Sequence, residues 1–218
     1  MKKIIVLFTS LFFISITFSQ SSKEAKAILD EVSLKMGAYQ TMFIGFSQTL
    51  INLEAGIKEG DEPPIRGEIS LKGEKYSLNY LGNKFLYDGK KLYVINNDEK
   101  EISITNGDLD GDDGFIYPSK LLTFYKEGYN FKMGKLENLS GRKIQFVTLN
   151  PIDSNSDIVK VELGIDAKTK HIYKLTQTGS NGAKTIFTID DFKANQILSE
   201  GFFTFDKKKY LSQNFTID

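Results

Sequence analysis

The chain has 218 residues, no Cys, no Trp and a single His, with 28 basic residues against 28 acidic. Zero Cys excludes thiol catalysis, disulfide scaffolds and Cys-ligated zinc or iron–sulfur, and one His excludes any two-His metal site. The balanced charge argues against a general nucleic-acid-binding surface, and at 40% hydrophobic the chain can bury the core of one domain.

Met1-Lys2-Lys3 followed by the apolar run Ile4 to Phe18 reads as a secretory signal peptide. The run has about 15 residues, short of the roughly 20 that a spanning helix needs. Thr17 and Ser19 place small residues at the exit, predicting cleavage after Ser19, so that 1–19 is leader and 20–218 is one exported domain. Loss of Lys2 and Lys3 leaves 26 basic residues against 28 acidic.

Ser21-Ser22-Lys23-Glu24 has the form of a capping box. Ala25, Ile28, Leu29, Val32 and Met36 follow at helical spacing up to Gly37, which predicts one amphipathic helix. From about residue 40 the period changes to two. Ile44, Phe46, Gln48 and Leu50 alternate with small residues, 51–64 reads as a long turn, and two further alternating runs cover 68–72 and 75–80. Asp88-Gly89 marks a hairpin. Pro118 to Glu127 reads as a second helix, with Leu121, Leu122 and Tyr125 on one face. Strands resume over 142–149, 157–163, 171–178 and 184–192, with Asn181-Gly182 as the last hairpin turn, and Phe202 to Phe205 is predicted to close the sheet. Short strands at this spacing make an antiparallel meander of ten or eleven strands rather than βαβ units.

One sheet face collects Phe46, Leu50, Ile69, Leu71, Tyr76, Leu78, Tyr80, Phe85, Tyr87, Leu92, Val94, Ile144, Phe146, Val159, Val161, Leu163, Tyr173, Leu175, Phe187 and Ile189, while the other is mostly polar. A one-sided apolar sheet must be covered. The two helices supply one stripe each, Ile28, Leu29, Val32 and Met36 from the first and Leu121, Leu122 and Tyr125 from the second. Two fillings fit this pattern: a closed core without ligand, or a lidded cavity.

The order of the pieces is also informative. After the helix come Phe46-Ser47-Gln48, Arg66-Gly67-Glu68-Ile69-Ser70-Leu71, Tyr87-Asp88-Gly89-Lys90-Lys91-Leu92-Tyr93-Val94, Tyr117-Pro118-Ser119-Lys120-Leu121-Leu122, Asn150-Pro151, Gly182 to Phe187, and Phe203-Thr204-Phe205. This ordered set resembles the periplasmic outer-membrane lipoprotein carrier (LolA) family. The resemblance implies a mainly β (α+β) fold, an unclosed antiparallel β-barrel of about eleven strands with helices lidding a hydrophobic concave face. It implies a periplasmic, monomeric carrier of lipoprotein acyl chains that meets an inner-membrane release complex and an outer-membrane acceptor, without cofactor, metal or nucleic acid. The cavity would be lined by Phe46, Leu50, Ile69, Leu71, Tyr76, Leu78, Tyr80, Tyr87, Leu92, Val94, Phe146, Val161, Leu175 and Phe187. A sensory or binding module on the same fold, taking another amphiphile or a partner protein, is the alternative. The chain lacks the family's Pro and Arg after the second strand, having Lys72-Gly73-Glu74-Lys75-Tyr76 there, and Asp206-Lys207-Lys208-Lys209 replaces a Pro-x-Gly near the end.

No Gly-x-Ser-x-Gly elbow occurs, and no catalytic residue is assigned. His171 reads as a solvent-edge turn residue, and Lys207-Lys208-Lys209 as a solvated edge. The acidic loop from Asn106 to Gly114 lacks the twelfth-position Glu of a calcium loop, since Tyr117 stands there. Calorimetry in millimolar calcium and in chelator is therefore expected to return the same Tm; a rise of several degrees with calcium would refute the loop assignment.

Overall fold

Twelve strands form one sheet that runs from edge to edge without closing. The computed structural model describes residues 21–107 and 124–218. The strands are β1 (Met42–Ile51), β2 (Ile65–Lys72), β3 (Lys75–Tyr80), β4 (Asn83–Tyr87), β5 (Lys91–Asn96), β6 (Glu101–Asn106), β7 (Tyr129–Leu139), β8 (Arg142–Pro151), β9 (Ile158–Asp166), β10 (Ile172–Gly179), β11 (Lys184–Ala194) and β12 (Thr216–Ile217). Their spatial order is β12-β6-β5-β4-β3-β2-β1-β11-β10-β9-β8-β7. Two meanders, β1 to β6 and β7 to β11, are thus joined where β1 pairs β11, and β12 alone runs parallel to its neighbour. The predicted leader and cleavage site lie outside the described residues.

Local chemistry sets the hairpins. Asp88 Oδ1 accepts from the backbone N–H of Lys90 and Lys91 at 2.9 Å each, and Gly89 takes a φ of +96°, which closes the β4–β5 turn. Asn181 Oδ1 accepts from Ala183 N, and Gly182 has a φ of +75°, as an Asn-Gly hairpin between β10 and β11 requires.

Helix α1 (residues 21–37) lays Ala25, Leu29, Val32 and Met36 against the inner sheet face, all buried. Ser21 lies within the helix, and its hydroxyl accepts from Met133 N at 3.1 Å and ties the helix to β7. Of the second predicted helix, 118–123 with Leu121 and Leu122 lies outside the described residues. Its tail is a short 3-10 turn, Phe124–Lys126, whose Tyr125 is buried and donates its hydroxyl to Leu29 O at 3.4 Å.

Three strands, β6, β7 and β12, escape the sequence pattern. In β7, Tyr129, Phe131 and Met133 alternate correctly, but a register shift between Met133 and Leu136 breaks the parity and leaves Leu136 exposed. The predicted closing strand, Phe202 to Phe205, is absent. That segment is a turn and coil that crosses the opposite sheet face, where Phe203 packs with Leu86 and Tyr93, and Phe205 stacks on Tyr93 at 4.2 Å. The outer face is therefore not mainly polar along β4–β6. Lys207, Lys208 and Lys209 are exposed, as expected, and form the first turn of helix α2 (Lys207–Ser212). It is N-capped by Asp206, whose Oδ1 accepts from Lys209 N. It positions Tyr210 and Phe215 over Ile95 and Ile102.

The chain end then pairs with β6 through Thr216 N to Lys100 O and Asp218 N to Ile102 O. Phe215 is 5% exposed at the centre of this strap. Phe215→Ala is expected to cost about 3–4 kcal/mol in urea unfolding. Ile197→Ala, at a fully exposed site on the same segment, is expected to stay within about 0.5 kcal/mol of wild type.

Candidate functional site: the open end of the inner face

Cross-strand pairing sorts the inner-face residues. Met42, Ile44, Phe46, Gln48 and Leu50 of β1 share one face. They meet Leu71, Ile69 and Gly67 on β2, followed by Tyr76, Leu78 and Tyr80 on β3, Tyr87 and Phe85 on β4, and Leu92 and Val94 on β5. On the other side β11 brings Ile189 and Phe187, β10 Leu175, β9 Leu163 and Val161, and β8 Val147 and Leu149.

Burial along this face is uneven. Val147, Leu149, Val161 and Leu163, on the two strands that pair beside β7, are fully buried. On β1 and β2 burial falls along the strands, from Ile44 at 2% and Ile69 at 3% exposed to Leu50 at 38% and Ile65 at 43%. Of the residues predicted to line the face, Ile69, Leu71, Tyr76, Leu78, Leu92, Val161 and Leu175 are buried in one core cluster with Leu29, Val32, Met36 and Tyr125. Phe46, Tyr80, Tyr87, Val94 and Phe187, with Ile28 of the helix, are only partly buried against it. The described part of the inner face thus has a packed region under α1 and an open end on β1–β5 and β11.

Phe146 does not belong to this face. It pairs with Gly164 while its neighbour Val147 pairs with Leu163 of the core, so its ring lies on the outer side, over the space a Cβ on Gly164 would occupy. Ile144 follows the same parity. A register shift between Ile172 and Lys174 turns Ile172 inward in place of Tyr173. Val159 is exposed.

Aromatic rings floor the open end. Phe46 stands 5.6 Å from Tyr80 and 5.9 Å from Phe187, centroid to centroid. Its ring lies flat across Gly67, where a Cβ would come within 2.4 Å of it, so this strand position requires glycine. Burial pushes the Tyr80 hydroxyl above its ordinary pKa. Large exposed apolar side chains gather at the same strand ends: Leu50, Leu53, Ile65 and Leu81. A cleft of about 610 Å³ crosses the same strands, but Phe43, Gly45, Glu68, Asn79 and Asp191, which have the parity of the opposite face, line it as well as Phe46, Gly67, Tyr80 and Leu81, so it is not a cavity of the inner face.

The far end of α1 is held by His171, which is not a solvent-edge residue. Tyr39 OH lies 2.8 Å from its Nε2, and its ring is 4.1 Å from that of Phe192. Lys170 pairs with Glu31 of the helix at 2.7 Å. A cleft of about 420 Å³ adjoins this latch, lined by Arg142, Asp166, His171 and Phe192 among others. Sequence reading misses the latch because Tyr39 and His171 are 132 positions apart. Among the described residues no group of three or more His, Cys, Asp or Glu could hold a metal ion, and no helix is long and apolar enough to cross a membrane.

No protein-family model and no curated protein matches the sequence. Solved structures do resemble it. An uncharacterised conserved protein from Thermus thermophilus is 11% identical over 86% of this chain and 96% of that one, with a TM-score of 0.58. A putative outer membrane lipoprotein-sorting protein domain from Vibrio parahaemolyticus is 13% identical over 87% of this chain and 99% of that one, at 0.48. A LolA superfamily protein from Nitrosomonas europaea is 13% identical over 83% of this chain and 97% of that one, at 0.41. Of these three, the Thermus protein superposes well enough to establish a shared fold.

Burial of the imidazole, reinforced by Lys35, holds the His171 pKa below its ordinary 6.5, while Asp166 opposes this. A lowered folded-state value means that the unfolded chain takes up the proton first as pH falls. Stability associated with this group is therefore complete above about 6.5 and is lost progressively below it, down to the folded-state value. At Asp88 and Asp166 burial works to raise the pKa, but backbone N–H donors outweigh it and the net shift is downward. Both therefore lose their contribution only as pH falls below 3.8. Urea midpoints are expected to drop between pH 7.5 and 5.5 in wild type and to drop less in His171→Gln. Equal drops would refute the latch as the source.

Proposed function

We propose that the protein is a periplasmic carrier that shields the acyl chains of lipoproteins on the inner face of its sheet and delivers them between membranes. The observation that carries this is the open end: aromatic and aliphatic side chains on β1–β5 and β11 stay half-buried against the packed core of the inner face. The ordered sequence resemblance to the lipoprotein carrier family supports the same reading, and neither requires a catalytic group.

Energetics explain why such a protein is needed. A triacylated anchor has on the order of 45 methylenes, and at about 0.8 kcal/mol each its exposure to water would cost roughly 35 kcal/mol. A carrier need only replace the bilayer's apolar contact, so its net affinity stays modest and release remains feasible. Helix α1 occupies part of the face. Its buried Leu29, Val32 and Met36 contribute on the order of 5–9 kcal/mol of apolar burial. Roughly ten cargo methylenes would compensate for lifting the helix. The polar ties that oppose lifting include Ser21 to Met133, Glu31 to Lys170 and Tyr39 to His171.

The direct test is a photo-crosslinking side chain at Val94 in the full chain expressed in cells. Capture of lipoproteins supports the proposal. Capture of free lipid alone would assign a different amphiphile, and capture of neither would overturn it. A paired mutation separates the open end from the core. Val94→Glu leaves its carboxylate room to stay hydrated, and is expected to melt within a few degrees of wild type while losing binding of a fluorescent fatty acyl probe. Val161→Glu buries an unpaired charge at a fully buried site and is expected to lose several kcal/mol or fail to fold. Probe binding by Val94→Glu equal to wild type would remove β5 from the site.

A further inference from the structure

Gln48 stands on the inner face at the open end, and its amide has apolar neighbours. It lies directly opposite Phe187 on β11 and Ile65 on β2, with Phe46 and Leu50 two positions away along its own strand. Directly opposed residues share a sheet face, so Gln48 shares the face on which Phe187 packs against the core. Its Oε1 is shielded from solvent and has no hydrogen-bond partner among the described residues. The second such atom, Thr178 Oγ1, sits on β10 one position past inward-facing Gln177 and so belongs to the opposite face.

An acceptor that is buried without a partner forfeits its hydration and gains nothing in exchange. Such groups are few in native proteins and call for an explanation. Leucine or methionine at this position would fill the same space without that cost. We propose that Gln48 Oε1 is the specificity determinant of the inner face, accepting a hydrogen bond from an N–H carried by the cargo next to its acyl chain. The inference rests on the carrier reading and narrows it: the preferred cargo is an amphiphile whose chain is joined through an amide rather than through an ester alone. An ester offers oxygen acceptors only, and would leave Gln48 Oε1 as orphaned as in the empty protein.

The test uses two probes with the same chain, N-dodecylacetamide and dodecyl acetate, each competing with a fluorescent fatty acyl reporter on the full mature chain. The measured quantity is the amide-to-ester affinity ratio in wild type divided by that ratio in Gln48→Leu, which cancels the probes' different solubilities in water. We expect it to be about five- to tenfold, the size of one net hydrogen bond. Gln48→Met serves as a second apolar variant should Leu pack poorly. A ratio of one, with both probes bound, would overturn the role of Gln48 and leave the carrier reading standing. Binding of neither probe by wild type would overturn both. The empty protein gives an independent readout. Relief of an unsatisfied acceptor should raise Tm by a few degrees in at least one of the two variants. A Tm unchanged or lowered in both would show that the acceptor is already satisfied, and would overturn the proposal.

Discussion

The structure depends on one constraint: a twelve-stranded sheet carries a continuous apolar face and must find something to cover it. Strands lie about 4.8 Å apart, so the sheet presents an arc on the order of 50 Å. A single helix is about 10 Å wide with its side chains. Helix α1 therefore covers only part of the face, and its position is fixed by where its ties fall, at Met133 on β7 and at Lys170 and His171 beside β10. The half-buried aromatics on β1–β5 and β11 follow from that geometry. They pack at the margin of the cluster that holds the helix stripe.

The opposite face meets the same problem with a different solution. Leu86, Tyr93, Ile95 and Ile102 on β4–β6 point away from α1, and the last part of the chain closes over them with Phe203, Phe205, Tyr210 and Phe215. Because the strap ends in β12 parallel to β6, it also pairs with an edge that would otherwise present unpaired N–H and C=O groups. Each cover is one continuous segment whose contacts are with strands distant in sequence. They differ in permanence. The strap is stitched by backbone hydrogen bonds and stacked rings, whereas α1 is held mainly by side chains, the Ser21 hydroxyl on β7 among them.

Much of this is legible in the sequence. Period-two runs from Ile44 to Leu50 and from Tyr76 to Tyr80, the Asp88-Gly89 and Asn181-Gly182 turns, and the stripe Ala25–Leu29–Val32–Met36 all fold as their patterns require. The failures have physical causes. A register shift hides β7, because a pattern search assumes constant parity. A further shift between Ile172 and Lys174 turns Ile172 inward in place of Tyr173. Phe146 reads as inward because it is aromatic, but Val147 beside it fills that role, and Gly164 makes room for the ring on the outside. Phe203-Thr204-Phe205 alternates like a strand yet joins no strand ladder; alternation there serves to lay two rings on a sheet. The His171 latch requires two distant residues to meet, which single-chain periodicity does not encode.

The division of the inner face into a packed and an open part bears on how a carrier of this kind would release its load. A face that is apolar throughout would hold a long chain with the full transfer free energy of its methylenes, and departure would then need an external input comparable to the cost of exposing the chain to water. Here the packed part already has an occupant. On the proposed function, cargo that entered beyond the open end would have to displace α1, and the roughly 5–9 kcal/mol of burial that the helix would lose is subtracted from what the cargo would gain. On its departure the helix would return and recover that burial. The apolar face would then never be presented wholly to water in either state, and the net affinity would be a small difference between two large terms. Such a difference can be shifted by one or two side-chain contacts. The ties at Ser21, Glu31 and Tyr39 contribute on one side of that balance, and Gln48 on the other.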